Sequence, residues 1–287
     1  FSAGGHDISI SLDTLDEGMQ DTINGVPKSW ERMIEAVSIV NRLFPDNGKG
    51  FFGTVIMPRN MEHLNGVLEF ATAIGWWVSL VPCHATTTNR PLGFRTFNDK
   101  GICTFQESSY ARIKEIVEEL KERRNKGFNL YDCDEYLDDI YRFISGKPVQ
   151  WRRRNCNVCD SPHLYFAIEP NGNIQPCCDY KMDKSYPVFN EDFPAKFRSG
   201  EIHEEIFKYT SKCAGCMYGS YPEITLTARF LKPLIHRFKL FNTEEGNTLK
   251  RIGKSEMIEL ARNICGKNRD AGKAVGQRQR IHGLSGA

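Results

Sequence analysis

Residues 7–13, Asp-Ile-Ser-Ile-Ser-Leu-Asp, alternate strictly, with Ile8, Ile10 and Leu12 apolar against polar Ser9, Ser11 and Asp13. A period of two predicts a strand with one greasy and one wet face. After Pro27 the period changes. Trp30, Met33, Ile34, Val37, Val40, Leu43 and Phe44 recur at helical spacing behind Ser29, the expected N-cap. Phe51 to Met57 predicts a second strand ended by Pro58. Asn60 is then expected to cap a second helix with Met61, Leu64, Val67, Leu68, Ala71 and Ile74 on one face, stopped by Gly75. Trp76 to Val81 predicts a third strand. Strands and helices alternating at this spacing imply parallel βαβ units with right-handed crossovers.

The pattern lapses over residues 83–107. Tyr110 to Leu120 and Asp134 to Ile144 predict two helices, which with their flanks form a helical linker over 108–150. Composition changes at Trp151-Arg152-Arg153-Arg154, where a cysteine-rich stretch opens; the three arginines read as a solvated charge run. Within that stretch, Leu164 to Glu169 and Ile174 to Pro176 predict strands around Asn171-Gly172, residue types that suit a type I′ turn with positive φ at both positions. Ile224 to Phe241 predicts a helix burying Leu226, Phe230, Leu231, Leu234, Ile235 and Phe238, inside a C-terminal helical region over 223–265. Residues 266–287 are basic, glycine-containing and aperiodic, and are expected to be disordered.

At 287 residues and 40% hydrophobic content the chain can bury a full core and build two domains. A net charge of +2 argues for neither nucleic acid nor an anionic surface as partner. No run of about eighteen apolar residues offers a membrane span. Ten cysteines in a chain of this size are expected to be reduced thiols in a cytoplasm, because a large core does not need disulfide staples. A chain that opens on Phe1 is expected to be a fragment or a processed product.

Four of those cysteines carry the strongest chemical signal. Cys159 and Cys177 flank the predicted hairpin, and Cys213-Ala214-Gly215-Cys216 follows. Four soft thiolates suit one zinc or one iron–sulfur cluster. Cys156 and Cys178 are alternates, since Cys177 and Cys178 are adjacent; His163 would be a surplus donor. Ser9, Ser11 and Asp13 suggest a wet lumen with a ligand in it, whereas a closed βα barrel fills its lumen with branched apolar side chains.

The segment Ser9 to Glu17, followed by Asn24-Gly25 and the Ser29 helix, resembles the fourth strand and following helix of radical S-adenosylmethionine (SAM) enzymes. Thr54 to Pro58 with Asn60, and a helix ending Ile74-Gly75 before a strand, looks like that fold's fifth and sixth strands. The order Cys159, Gly172, Cys177, Cys213-x-x-Cys216 resembles the SPASM/Twitch auxiliary-cluster domain. The resemblance covers residues 1–220 and implies an α/β chain: the C-terminal half of a partial (β/α)6 barrel over 1–107, then a small α+β iron–sulfur domain over 151–222. It further implies an enzyme that, in full-length form, cleaves SAM to a 5′-deoxyadenosyl radical and takes hydrogen from a peptide, sugar or other small molecule. Ser11, with Ser9 beside it, would face the SAM ribose, and Asn24 stands where the family often carries an arginine. Cys159, Cys177, Cys213 and Cys216 would hold a [4Fe–4S] cluster, with a flavodoxin or ferredoxin as electron donor. No cysteine lies between Met217 and Glu223, so one auxiliary cluster is implied. The family's C-x-x-x-C-x-x-C signature is absent from the chain and expected upstream of Phe1. Cys83, just after the third strand, is a weak catalytic candidate that would return a hydrogen atom to a substrate radical; an ordinary loop cysteine is the plainer reading. The rival to the enzyme is a non-catalytic interaction module with zinc on the same four cysteines.

Overall fold

The alternating segment forms β1 (Asp7–Ser11), and the short polar stretch after it forms a helix that the pattern did not announce, α1 (Glu17–Asn24). Asp16 caps α1 by accepting from the Met19 N–H, and Gly25 closes it at φ 65°. The next helix, α2 (Ser29–Leu43), is not capped by Ser29. Asp21 of α1 does that work instead, accepting from the Lys28 and Trp30 backbone N–H groups and from the Ser29 hydroxyl. Then follow β2 (Lys49–Ile56), a single 3-10 turn at Met61–His63, α3 (Leu64–Ile74) ended by left-handed Gly75, β3 (Trp77–Pro82) and α4 (Tyr110–Asn125).

The computed structural model describes residues 4–45, 48–84, 102–151, 159, 161–177, 181–211, 213, 215–218, 220–242 and 249–267. They fall into two units, Phe1–Val81 with Ala111–Asp132 and Asn242–Ala287, and Pro82–Tyr110 with Cys133–Phe241. The helical stretch anticipated over 108–150 supplies α4 to the first unit and the following helix to the second. The tail expected to be disordered lies outside the described residues beyond 267, while 254–267 are helical.

The first unit is α/β. Its sheet has the order β1-β2-β3, with β1 and β2 parallel from Asp7 opposite Lys49 to Ser11 opposite Gly53. Beyond β3 the chain adds a rung that periodicity did not reveal. Residues 129–132 return from α4 to bridge Val78 in parallel, with Val78 N–H donating to Asn129 O and Tyr131 N–H to Val78 O. Buried Asp132 extends that pairing by accepting from Leu80 N–H and the Ser79 hydroxyl.

Aromatic stacking fills the sheet's inner face, where Phe52 lies against Trp76 at 4.6 Å between centroids and against Phe70 at 6.0 Å. The Trp76 indole donates to Asn41 Oδ1 at 2.6 Å, so its one polar atom is satisfied in the core. Asn41 in turn donates to the Lys250 carbonyl at 2.9 Å, tying α2 to residues more than 200 positions away.

The second unit contains α5 (Asp134–Ile144), a single helical turn α6 (Ser161–Leu164), β4 (Ala167–Ile168), β5 (Ile174–Gln175), α7 (Phe193–Ser199), α8 (Glu201–Thr210), α9 (Ser220–Arg229) and α10 (Leu231–Asn242). β4 and β5 pair antiparallel as expected, but not through a type I′ turn. Gly172 alone takes positive φ, at 81°, and its N–H closes the turn on Glu169 O at 2.8 Å. Pro170 fits that geometry because its ring presets φ at the second turn position. Residues 186–188 lie alongside, and Ile174, Met182, Tyr186, Ile202 and Ile206 make this unit's small core with α8.

The predicted helix over Ile224 to Phe241 is two helices broken at Phe230. Pro233 has no N–H to offer the Arg229 carbonyl, so the ladder fails there. The break turns the anticipated stripe outward: Leu226 is buried, but Leu231, Ile235 and Phe238 are 71%, 45% and 59% exposed.

Gly50 allows the aromatic stack to form, since a Cβ there would sit 2.4 Å from the Trp76 ring. We expect Gly50→Ala to cost about 1–3 kcal/mol through overpacking, read as a lower urea midpoint by tryptophan fluorescence. Gly53→Ala, whose Cβ meets nothing nearer than Ser9 Oγ at 3.7 Å, should stay within about 0.5 kcal/mol of the parent.

Candidate metal centre

The turn carrying Cys213 and Cys216 starts where α8 ends, with Cys213 N–H donating to Thr210 O at 3.2 Å. Gly215 sits at φ 101°, a conformation open to glycine and costly for other residues, which bends the chain back past Cys213. Its N–H donates to Cys213 Sγ at 3.4 Å. Backbone donors aimed at sulfur tune iron–sulfur centres.

Three side chains then hold the two residues that follow. The Trp151 indole donates to the Cys216 carbonyl at 3.0 Å, and the Tyr136 hydroxyl to the Met217 carbonyl at 3.4 Å. Met217 N–H donates to His84 Nε2 at 2.9 Å, so a neutral His84 ring carries its proton on Nδ1. The His84 ring stacks on Tyr218 at 4.1 Å and 12°. Trp151 is itself fixed by Asp139, whose carboxylate accepts from Gln150 N–H at 2.6 Å and Trp151 N–H at 2.9 Å. The sequence pattern gave His84, Tyr136, Asp139 and Trp151 no role at this site. An acid on the buried face of a helix, three residues after a buried tyrosine, was the available signal.

Cys159, Cys177, Cys213 and Cys216 are all half-buried. Burial pushes the Cys216 thiol well above its ordinary range, a backbone hydrogen bond from Tyr218 draws it back, and Cys159, Cys213 and Cys177 push it further up. Sulfurs from two other stretches of chain and from its own turn thus act electrostatically on Cys216. No group of three or more His, Cys, Asp or Glu side chains among the described residues is closed to ligating geometry. Metal binding to such cysteines requires their deprotonation. The donor set fits a tetrahedral thiolate centre, with either zinc or iron. Cys156, Cys178 and Arg152 to Arg154 lie outside the described residues. His163 is exposed and its ring lies 4.6 Å from His203.

The residues expected to face a cofactor, Ser9, Ser11 and Asn24, lie in the first unit. Ser9 and Ser11 are exposed on β1. Asp13, expected on their face, is instead buried beyond the strand's end, where it accepts from Val55 N–H at 2.7 Å. Its own N–H and that of Thr14 donate to Gln20 Oε1, and burial raises its pKa above the ordinary value. Asn60 does not cap the following helix. It accepts from Met57 N–H and donates to the Asp13 and Val55 carbonyls, locking the ends of β1 and β2 together. Asn24 is exposed and donates to the Ser29 hydroxyl at 3.1 Å.

Cys83 departs from the expectation of reduced thiols. Its Cα lies 5.1 Å from that of Cys103, within bridging range, and the two form a disulfide. In that state Cys83 has no S–H hydrogen to give, so the donor role would require prior reduction.

No protein-family model matches the chain, and no curated protein matches it. Among solved structures, the crystal structure of Streptococcus suis SuiB is similar at 16% identity and a TM-score of 0.46, over 79% of this chain and 52% of that one. The chain thus spans about half the length of that protein. No helix among the described residues is long and apolar enough to cross a membrane.

Burial pushes the Asp139 carboxyl up to about 6, against the pull of the Gln150 and Trp151 amides. The folded state then binds the extra proton between the ordinary carboxyl range and pH 6. Stability should fall as pH rises through that window, by at most about 1.4 kcal/mol per pH unit. Asp139→Asn should flatten this slope in urea titrations at stepped pH. It should also cost about 1–2 kcal/mol at low pH, because one amide oxygen cannot serve both N–H groups.

Proposed function

We propose that this chain is the C-terminal portion of a radical SAM enzyme, with a single auxiliary [4Fe–4S] cluster on Cys159, Cys177, Cys213 and Cys216. The observation that carries the reading is the Cys-x12-Gly-x4-Cys and Cys-x-x-Cys order, supported by the electrostatic effect of Cys159, Cys213 and Cys177 on the Cys216 thiol. The hydrogen bonds fixing Cys216 and Met217 support it, since a ligand turn held by tryptophan, tyrosine and histidine has little freedom left to lose on binding.

Within this reading the protein's own residues position and insulate. Gly215 donates to sulfur, Trp151 and His84 keep the turn from twisting, and Asp139 holds Trp151 in register. Ser9 and Ser11 offer hydroxyls, each able to donate and accept, on the exposed face of β1, which suits a ribose diol. When bound, the auxiliary cluster would supply one-electron transfer, while the full-length enzyme would draw on SAM and a second cluster for hydrogen abstraction from a peptide, sugar or other small molecule. A flavodoxin or ferredoxin would be the electron donor.

Anaerobic reconstitution of this chain with iron and sulfide tests the centre directly. We expect brown protein with about four iron and four sulfide per chain. Alanine at Cys159, Cys177, Cys213 or Cys216 should each lose that iron, whereas Cys133→Ala and Cys265→Ala should keep it. Colourless protein carrying one zinc would replace the enzyme reading with a four-cysteine zinc module. Unchanged iron in Cys216→Ala would remove this ligand set.

A further inference from the structure

A cavity of about 460 Å³ in the second unit has a disulfide in its wall. Cys83 and Cys103 line it together with Phe105, Phe143, Lys147 and Gly215. The volume is in the range of small-molecule sites. Its two sulfurs are not equivalent, because Cys83 is half-buried while Cys103 is only 8% exposed. Lys147 is the sole charged side chain among the described residues of the lining, and its ammonium lies 3.1 Å from the Tyr141 hydroxyl. Gly215 belongs to the turn between Cys213 and Cys216, so the cavity shares a wall with the candidate centre. Accessible disulfides exchange more readily than buried ones, and Cys83 is the accessible sulfur of this pair.

We propose that this cavity is a thiol–disulfide exchange site for a small anionic thiol, with Cys83 as the attacked sulfur and Cys103 as the leaving group. The ligand's thiolate attacks Cys83 Sγ; a sulfur–sulfur bond forms between them as the Cys83–Cys103 bond breaks. The electron pair leaves on Cys103, which takes a proton from water. A second ligand thiolate then attacks the ligand sulfur of the mixed disulfide, releasing Cys83 as a thiolate that is protonated in turn. Two ligand thiols are oxidised to one disulfide, and the pair is reduced by two electrons and two protons. The aromatic wall takes the ligand's apolar body and Lys147 its carboxylate. This site stands independently of the iron-centre proposal.

The test incubates the full chain in mixtures of glutathione and glutathione disulfide, followed by acid quenching, alkylation and peptide mapping, with metal content read on the same samples. Reversible interconversion of the Cys83–Cys103 pair in native buffer is expected, whatever metal is found. In Cys103→Ser, glutathione should accumulate on Cys83. In Cys83→Ser, Cys103 should react about tenfold or more slowly, as access governs exchange. Lys147→Ala should slow reaction with glutathione more than with neutral mercaptoethanol. A pair that resists excess glutathione until denatured, or never bridges in glutathione disulfide, overturns the site. Faster reaction at Cys103 overturns the assigned direction, and equal slowing with both thiols overturns the anionic ligand.

Discussion

The peptide joining Cys216 to Met217 is gripped from both ends. Its carbonyl takes the Trp151 indole N–H and its amide gives to His84 Nε2, at 3.0 and 2.9 Å. A peptide held at both ends resists rotation, so the backbone that carries Cys216 is fixed in direction. That constraint accounts for much of the second unit's polar architecture. Asp139 is buried in order to hold Trp151, Tyr136 adds a third restraint, and both come from α5. Burying an acid has a cost, seen in its raised pKa, and two backbone donors offset it.

Thiolates make a contrasting demand. Burial first, and then Cys159, Cys213 and Cys177, disfavour a negative charge on the Cys216 sulfur. A thiol kept protonated by burial would have to release that proton to bind a metal, so any uptake here would depend on pH. The Gly215 N–H is aimed at Cys213 Sγ.

Much of the first unit's pattern was legible because it is local. The alternation at β1 and the glycine stop after α3 follow from neighbouring residues alone, as do the bounds of α5 in the second unit. What failed to show were choices made between elements. Ser29 and Asn60 have the right types for caps, yet Asp21 reaches across from α1 to do the first job, and Asn60 is taken by the strand ends. The rung at 129–132 is too short to have a period and exists only because Val78 offers it partners. The Cys83–Cys103 bond depends on a Cα separation that no spacing rule yields. The four candidate cysteines stood out because thiolate chemistry needs particular residue types at particular separations, whereas the residues that orient their turn carry no such mark.

The hydrogen bond from Asn41 to the Lys250 carbonyl has a consequence for synthesis. The first unit is assembled from three stretches of chain, and its last strap leaves the ribosome more than 200 residues after α2. Until then the indole of Trp76 and the carboxamide of Asn41 have each other but not the partner that fixes them to the C-terminal segment. Contacts this distant in sequence slow folding and prolong exposure of the nascent sheet. The intervening unit, whose larger part is a continuous run from Cys133 to Phe241, has no such wait and can complete its own core first. Vectorial synthesis would thus ready the cysteine-bearing part while the nucleus around Phe52 and Trp76 is still open, so shortening the chain before residue 249 should harm the first unit more than the second.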